Sequence, residues 1–232
     1  MTKYIVTGSF NFDIDIKSSS SASSSSKSSS SSSSTNPLED FTTYTEMDYN
    51  SKVTVSEHQI DFVNLNNGEN SYVYKDFGVD YFQALQHRFE FKINSGYSTN
   101  GVVGFWEVGN AVSNWINQLS NPHLIIILFN NVIRTTVRIG GVQVYDAWSG
   151  FSADTDYYCT ATWMPSGGSG YGRLEAVYRT GGHDGTIQHT AQVDHTVDAS
   201  SQKFRYLYGM QSYGQTGLNP VSGYIKNLQI MY

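Results

Sequence analysis

Tyr157-Tyr158-Cys159-Thr160-Ala161-Thr162-Trp163 is the stretch on which the fold turns: its odd positions are apolar or aromatic and its even positions mostly hydroxyl-bearing. A period of two puts Cys159, Ala161 and Trp163 on one face of a half-buried β-strand. The same alternation recurs outward in both directions, bounded by Asn, Gly, Ser and Asp. It predicts strands at 41–46, 52–56, 59–64, 71–75, 87–94, 101–108, 123–129, 132–139, 142–145, 157–164, 173–178, 186–193, 204–212 and 222–231. No segment sustains a helical period; 113–119 has room for one short helical turn, and the apolar run 124–128 suits the middle of a buried sheet. Ser166-Gly167-Gly168-Ser169-Gly170 reads as a hairpin tip. So many short antiparallel strands bury their faces together as an all-β, two-layer sandwich of jelly-roll type.

Composition agrees. The 232 residues include 17 Tyr and 21 Gly but only 4 Pro, a mixture that favours strands and tight turns. A net charge of -6 with scattered Lys and Arg argues against nucleic acid or an anionic membrane as partner. No apolar stretch reaches the roughly 18 residues of a membrane span, and no secretion signal is visible at the start. The single cysteine, Cys159, excludes an internal disulfide, and its strand context predicts a buried, inert thiol.

Residues 18–34 are serine except for Ala22 and Lys27. Such a tract buries nothing that offsets the entropy of ordering it and is expected to be a flexible, solvated tether. Before it, Tyr4, Val6, Gly8, Phe10, Phe12, Ile14 and Ile16 alternate with polar residues, as one strand or as a hairpin with a three-residue loop. Residues 1–17 are therefore read as a β anchor, 18–37 as a linker and 38–232 as the sandwich. The apolar face formed by Phe10, Phe12, Ile14 and Ile16 needs a cover, either the sandwich itself or, as the expected assembly contact, a protein partner that accepts an added strand.

The strand His87-Arg88-Phe89-Glu90-Phe91-Lys92-Ile93, the hairpin arm Leu174-Glu175-Ala176-Val177-Tyr178 and the closing Gly223-Tyr224-Ile225-Lys226-Asn227-Leu228-Gln229-Ile230 resemble the concanavalin A-like lectin and glucanase superfamily, laminin G-like modules included. The serine-tethered N-terminal strand resembles small tailed-phage virion proteins. Together these resemblances imply a binding domain displayed on a particle, with a virion or other extracellular assembly surface as its location.

Catalytic alternatives are weaker. A retaining glucanase of this fold needs paired carboxylates about 5 to 5.5 Å apart; Glu46-Met47-Asp48 supplies one incomplete pair that reads as a strand end. Glu46, Asp48, Asn50 and His58 resemble the metal-site order of legume lectins with altered spacing, and Asp76 and Asp80 are turn-forming or cation-binding aspartates. No cofactor is expected; calcium alone is left open. Arg88-x-Glu90-x-Lys92, Gln188-His189 and the run from Tyr206 to Gln215 resemble, in order, the three motifs of jelly-roll alginate lyases. That implies Arg88 neutralising a uronate, His189 as base and Tyr213 as acid, although the motifs are incomplete. His183, His189 and His195 recur six apart, too far along a strand to share an ion.

The tryptophans offer the best sugar chemistry, because an indole face covers the C–H face of a pyranose. Trp106 and Trp163 are expected in the core. Trp115 and Trp148, with Tyr145 and Asp146, lie in polar, loop-like surroundings and are the candidate ligand-binding residues, with partial burial of the two tryptophans under loops as the alternative reading. The reading is thus a non-enzymatic, lectin-like module that binds a glycan or cell-surface polysaccharide, with homo-oligomers left open. A polysaccharide lyase and a ligand-free decoration protein are the alternatives.

Overall fold

A computed structural model describes residues 36–168 and 170–231. The chain runs β1 (Thr45–Met47), β2 (Val53–Val55), β3 (Gln59–Leu65), β4 (Tyr72–Asp76), β5 (Leu85–Ile93), β6 (Val102–Gly109), α1 (Trp115–Gln118), β7 (His123–Phe129), β8 (Val132–Ile139), β9 (Val142–Trp148), β10 (Tyr157–Met164), β11 (Arg173–Thr180), β12 (Thr186–Asp194), β13 (Tyr206–Ser212) and β14 (Val221–Met231). Every expected strand after the first is present, most within two residues. At the first, 41–43 form a 3-10 turn, because Asp40 accepts from the Thr42 amide at 2.9 Å and winds the chain before β1 begins.

The strands form two antiparallel seven-stranded sheets. The first is ordered β12-β11-β10-β5-β14-β3-β2 and the second β1-β4-β13-β6-β7-β8-β9. Odd residues Phe89 and Phe91 of β5, with Cys159, Ala161 and Trp163 of β10, enter the core between the sheets as their parity requires. Trp106 and Trp163 are buried there, as is Cys159, whose thiol is pushed well up by burial and is free. Tight turns set the register. Asn130-Asn131 and Gly140-Gly141 bridge β7–β8 and β8–β9 with positive φ at both positions (48° and 64°, 59° and 78°), the geometry of type I′ hairpins.

The second sheet is covered on its outer face as well. Leu124, Ile126 and Leu128 of β7 point into the main core, while Ile125 and Ile127 join Val102 and Trp115 in a smaller cluster beneath the β6–β7 connection that carries α1. Coverage on both sides is the physical reason for the uninterrupted apolar run at 124–128.

Candidate functional site

The outer face of the second sheet is organised by α1. Asn114 caps it, accepting from the Asn117 amide at 3.1 Å, and its own side-chain amide donates to Asn70 Oδ1 at 2.9 Å. The Ile116 amide donates to the Tyr213 carbonyl at 3.1 Å. Gly214 holds φ +80°, and a Cβ there would lie 2.3 Å from Asn114 Cγ, so the 213–220 loop can lie against the cap only with glycine at this position. These contacts seat Trp115 over the sheet, its ring 5.6 Å from Phe129 and 5.4 Å from Tyr213. Trp115 is only 5% exposed, buried under its loop as the alternative reading has it rather than displayed. It is the keystone of the small cluster, and half-buried Phe129 and Tyr213 are what it presents to solvent.

From Phe129 the row continues across β8 and β9. The Arg134 guanidinium lies 4.0 Å from the Phe129 ring centroid and 4.6 Å from that of Tyr145, sandwiched between two aromatic faces. Tyr145 is half exposed, at 50%. Tyr213, Trp115, Phe129, Arg134 and Tyr145 thus form one band of rings and a cation. Loop 66–70 borders the end nearest Trp115, where buried Asn67 accepts from the Val102 amide at 3.0 Å and donates to the Asn100 carbonyl at 3.0 Å.

Trp148 lies elsewhere and is also buried, at 8% exposed. β9 does not stop at Tyr145: its pairing with β8 runs through Ile133↔Trp148, and parity turns 146 and 148 inward. There Trp148 stacks on His189 (5.5 Å, 8° between planes) and lies 5.2 Å from Tyr178, while His189 Nε2 donates to Asp146 Oδ1 at 2.8 Å. Asp146 and His189 therefore join edge strands β9 and β12 across the rim of the sandwich. Of the four expected ligand residues, Trp115 and Tyr145 fall on the outer band, while Trp148 and Asp146 belong to this rim. Phe129 and Arg134 are not singled out by the sequence reading. The signal for Arg134 is the even-residue parity of 132–139, which places Arg134 and Arg138 on the face opposite Ile133 and Val137; that for Phe129 is the odd parity it shares with Ile125 and Ile127.

The other candidates are separated. Arg88 lies on the first sheet three strands from His189, and Tyr213 follows a strand of the second sheet and packs on Trp115, so the lyase triad is not assembled. Asp48 accepts from the Val53 amide and the Ser71 hydroxyl (both 2.8 Å), Asn50 donates to Glu69, and His58 contacts the Glu39 carbonyl. Asp76 is paired with Arg205 at 2.6 Å and Asp80 with Lys203 at 3.8 Å. His183 packs edge-on to Tyr158, whereas His195 contacts the Val197 and Val142 carbonyls. Among the described residues no group of three His, Cys, Asp or Glu side chains is placed to hold a metal ion, and no helix is long and apolar enough to cross a membrane. Phe10, Phe12, Ile14 and Ile16 lie outside the described residues.

Beneath α1 the sheet carries a buried polar group. Glu107 is fully buried and accepts from Gln211 Nε2; burial raises its carboxyl well above its ordinary value. Its Oε1 and Gln118 Oε1 have no hydrogen-bond partner, and a Cβ on Gly109 would lie 3.1 Å from the one and 3.2 Å from the other. A carboxyl raised in this way keeps its proton and has a donor, where an ionised carboxylate would only accept. His123 alongside is lowered to about 4 by burial and is neutral near pH 7.

Two antiparallel seven-stranded sheets in this order form a concanavalin A-like jelly roll. Solved structures with this fold include the VIP36 exoplasmic/lumenal domain in its Ca2+/Man-bound form (TM-score 0.54, 7% identity, 81% of this chain and 82% of that one). The Emp47p carbohydrate recognition domain aligns with TM-score 0.52 at 12% identity, over 84% of this chain and 93% of its own. Arcelin-5, a lectin-like defense protein from Phaseolus vulgaris, aligns with TM-score 0.50 at 10% identity, over 81% and 91%. No protein-family pattern matches the chain, and no curated protein matches its sequence.

Proposed function

We propose that the sandwich is a glycan-binding module whose site is the outer band of the second sheet. The observation that carries this reading is the band itself: Tyr213, Phe129 and Tyr145 offer partly exposed ring faces for sugar C–H groups, and a cation and amide-bearing loops stand beside them for hydroxyls. The fold shared with the VIP36 lumenal domain and the Emp47p carbohydrate recognition domain supports it. Calcium chemistry, named for the VIP36 form, has no group of three acidic or imidazole ligands to draw on among the described residues, where Asp48, Asn50 and Glu69 make internal hydrogen bonds.

The finer reading is a module displayed from an assembly. The serine tract at 18–34 serves as tether, and the apolar alternation of Phe10, Phe12, Ile14 and Ile16 as the strand given to a protein partner, on a phage virion or another extracellular surface. The test is a glycan array probed with the full chain, with and without calcium, beside Tyr213→Ala and Tyr145→Ala. Selective binding lost in both variants supports the site. Binding that survives both moves the site off this face.

A further inference from the structure

We propose that the band selects carboxylated glycans, oligouronates in particular, through Arg134 and Arg138; this rests on the glycan-binding reading above and names the substrate class. The outward face of β8 presents Arg134, Thr136 and Arg138 in succession, opposite Ile127, Ile125 and His123 on one side and Ala147, Tyr145 and Gln143 on the other. Neither arginine has a carboxylate partner among the ion pairs of the described residues, although the chain as a whole carries a charge of -6. Arg134 is held by its two rings, and Arg138 donates to Gln143 Oε1 at 3.1 Å. The Nε of each is buried without a hydrogen-bond partner. Between them the Thr136 hydroxyl, on a residue with no solvent exposure, is also unpartnered. The nearest titratable neighbours weaken no anion: Glu107 is held toward its neutral form and His123 toward its neutral form, the latter partly by Arg138 itself.

Two uncompensated guanidinium groups on an aromatic surface constitute a receptor for planar anions. A guanidinium clamped between Phe129 and Tyr145 is fixed in plane, so its terminal N–H groups meet a carboxylate as a fork, while the flanking rings take the sugar's C–H face. A lysine offers neither the plane nor the fork. Four residues of strand separate the two arginines by roughly 13 Å of backbone, so an occupant that engages both is a chain carrying several carboxylates, not a single sugar acid.

The experiment is isothermal titration calorimetry of the full chain with oligogalacturonate, a neutral maltooligosaccharide of equal length, a sialylated trisaccharide and dextran sulfate. Expected are tighter binding of oligogalacturonate than of the neutral oligomer, and a loss of about tenfold on Arg134→Gln, Arg134→Lys or Arg138→Gln, the worth of one charge-assisted hydrogen bond. The melting temperature of each variant separates lost recognition from lost folding, and Arg134→Lys, which keeps stem and charge, is the variant to compare if Arg134→Gln melts early. Preference for the sialylated trisaccharide over oligogalacturonate overturns the polymeric assignment. Dextran sulfate bound equally well and equally by Arg134→Lys reduces the patch to unspecific charge attraction. If neutral and charged oligomers bind alike and the arginine variants change nothing, the inference falls while glycan binding stands; if no glycan binds, both fall.

Discussion

Replacing Glu107 by Gln should change the pH profile of stability more than stability itself at low pH. The native carboxyl is raised well above 4.5 by burial, so above that pH the unfolded chain sheds a proton that the folded one keeps. Stability then falls as pH rises, by about 1.4 kcal/mol per pH unit. His87 and His123 act in the opposite sense. Burial lowers them from 6.5 to about 3 and about 4, so below pH 6.5 the unfolded chain takes up protons that the folded chain refuses. Their contribution is complete above 6.5 and is lost as pH falls toward 3 to 4; His183, also lowered, adds in the same direction. Below pH 6.5 the two histidines outweigh the one glutamic acid and stability rises with pH; above it only the glutamic acid's opposing slope is left, and stability falls as pH rises toward the raised carboxyl value.

The substituted amide keeps the shape of the neutral acid and supplies an N–H donor in its place. Urea unfolding of both proteins at half-unit steps from pH 5 to 8 should show the decline above 6.5 abolished in Glu107→Gln, its advantage over wild type growing as pH rises. Parallel profiles would mean that Glu107 is ionised in the native state, and the account of the buried cluster would be wrong.

Gly214→Ala should cost about 3 to 4 kcal/mol: roughly 1 to 2 for a side chain at φ +80° and about 2 for the Asn114 cap and amide bond that its Cβ displaces. Because Asn114→Ala already loses those bonds, thermodynamic cycles by urea unfolding should find the double variant about 2 kcal/mol short of additive, and strict additivity would refute the contact. Trp148→Ala, which empties the space between Tyr178 and His189, should destabilise by about 3 to 5 kcal/mol in the same assay while leaving any glycan affinity of the outer band unchanged. Deleting residues 1–35 should leave the melting temperature nearly unchanged, since the sandwich at 36–231 has its own core; a large drop in calorimetry would make the N-terminal segment an intrinsic strand of it.

The strands are legible because burial on one face writes itself as alternation: Cys159, Ala161 and Trp163 point where their parity says. Legibility fails where a polar residue occupies an inward position. Asp146 falls between Val144 and Trp148 on the core-facing side of β9, and a carboxylate there reads as the end of a strand, which puts Trp148 in a loop. What makes Asp146 tolerable inside is His189, 43 residues away on the other sheet, a partner that no local pattern announces. The first strand fails for a different reason, a local one: the Asp40 side chain competes for the backbone with extended pairing.

The candidate site is half legible, and the reason lies in how large aromatics are used. Tryptophan in a polar setting suggests an exposed sugar platform, yet both such tryptophans are structural: burying an indole stabilises more than displaying one, so Trp115 anchors α1 to the sheet and Trp148 fills the rim. Display falls to smaller rings at the margins of those anchors, Tyr213 and Phe129 beside Trp115 and Tyr145 on the strand that ends in Trp148. On β9 the two tasks alternate along the strand, with Tyr145 outward and Asp146 inward. Because the period is two, a one-residue slip of β9 against β8 would bring Asp146 out beside Arg134 and neutralise it. The Gly140-Gly141 turn, which fixes that register, is therefore also what leaves Arg134 without a counter-ion between its two rings.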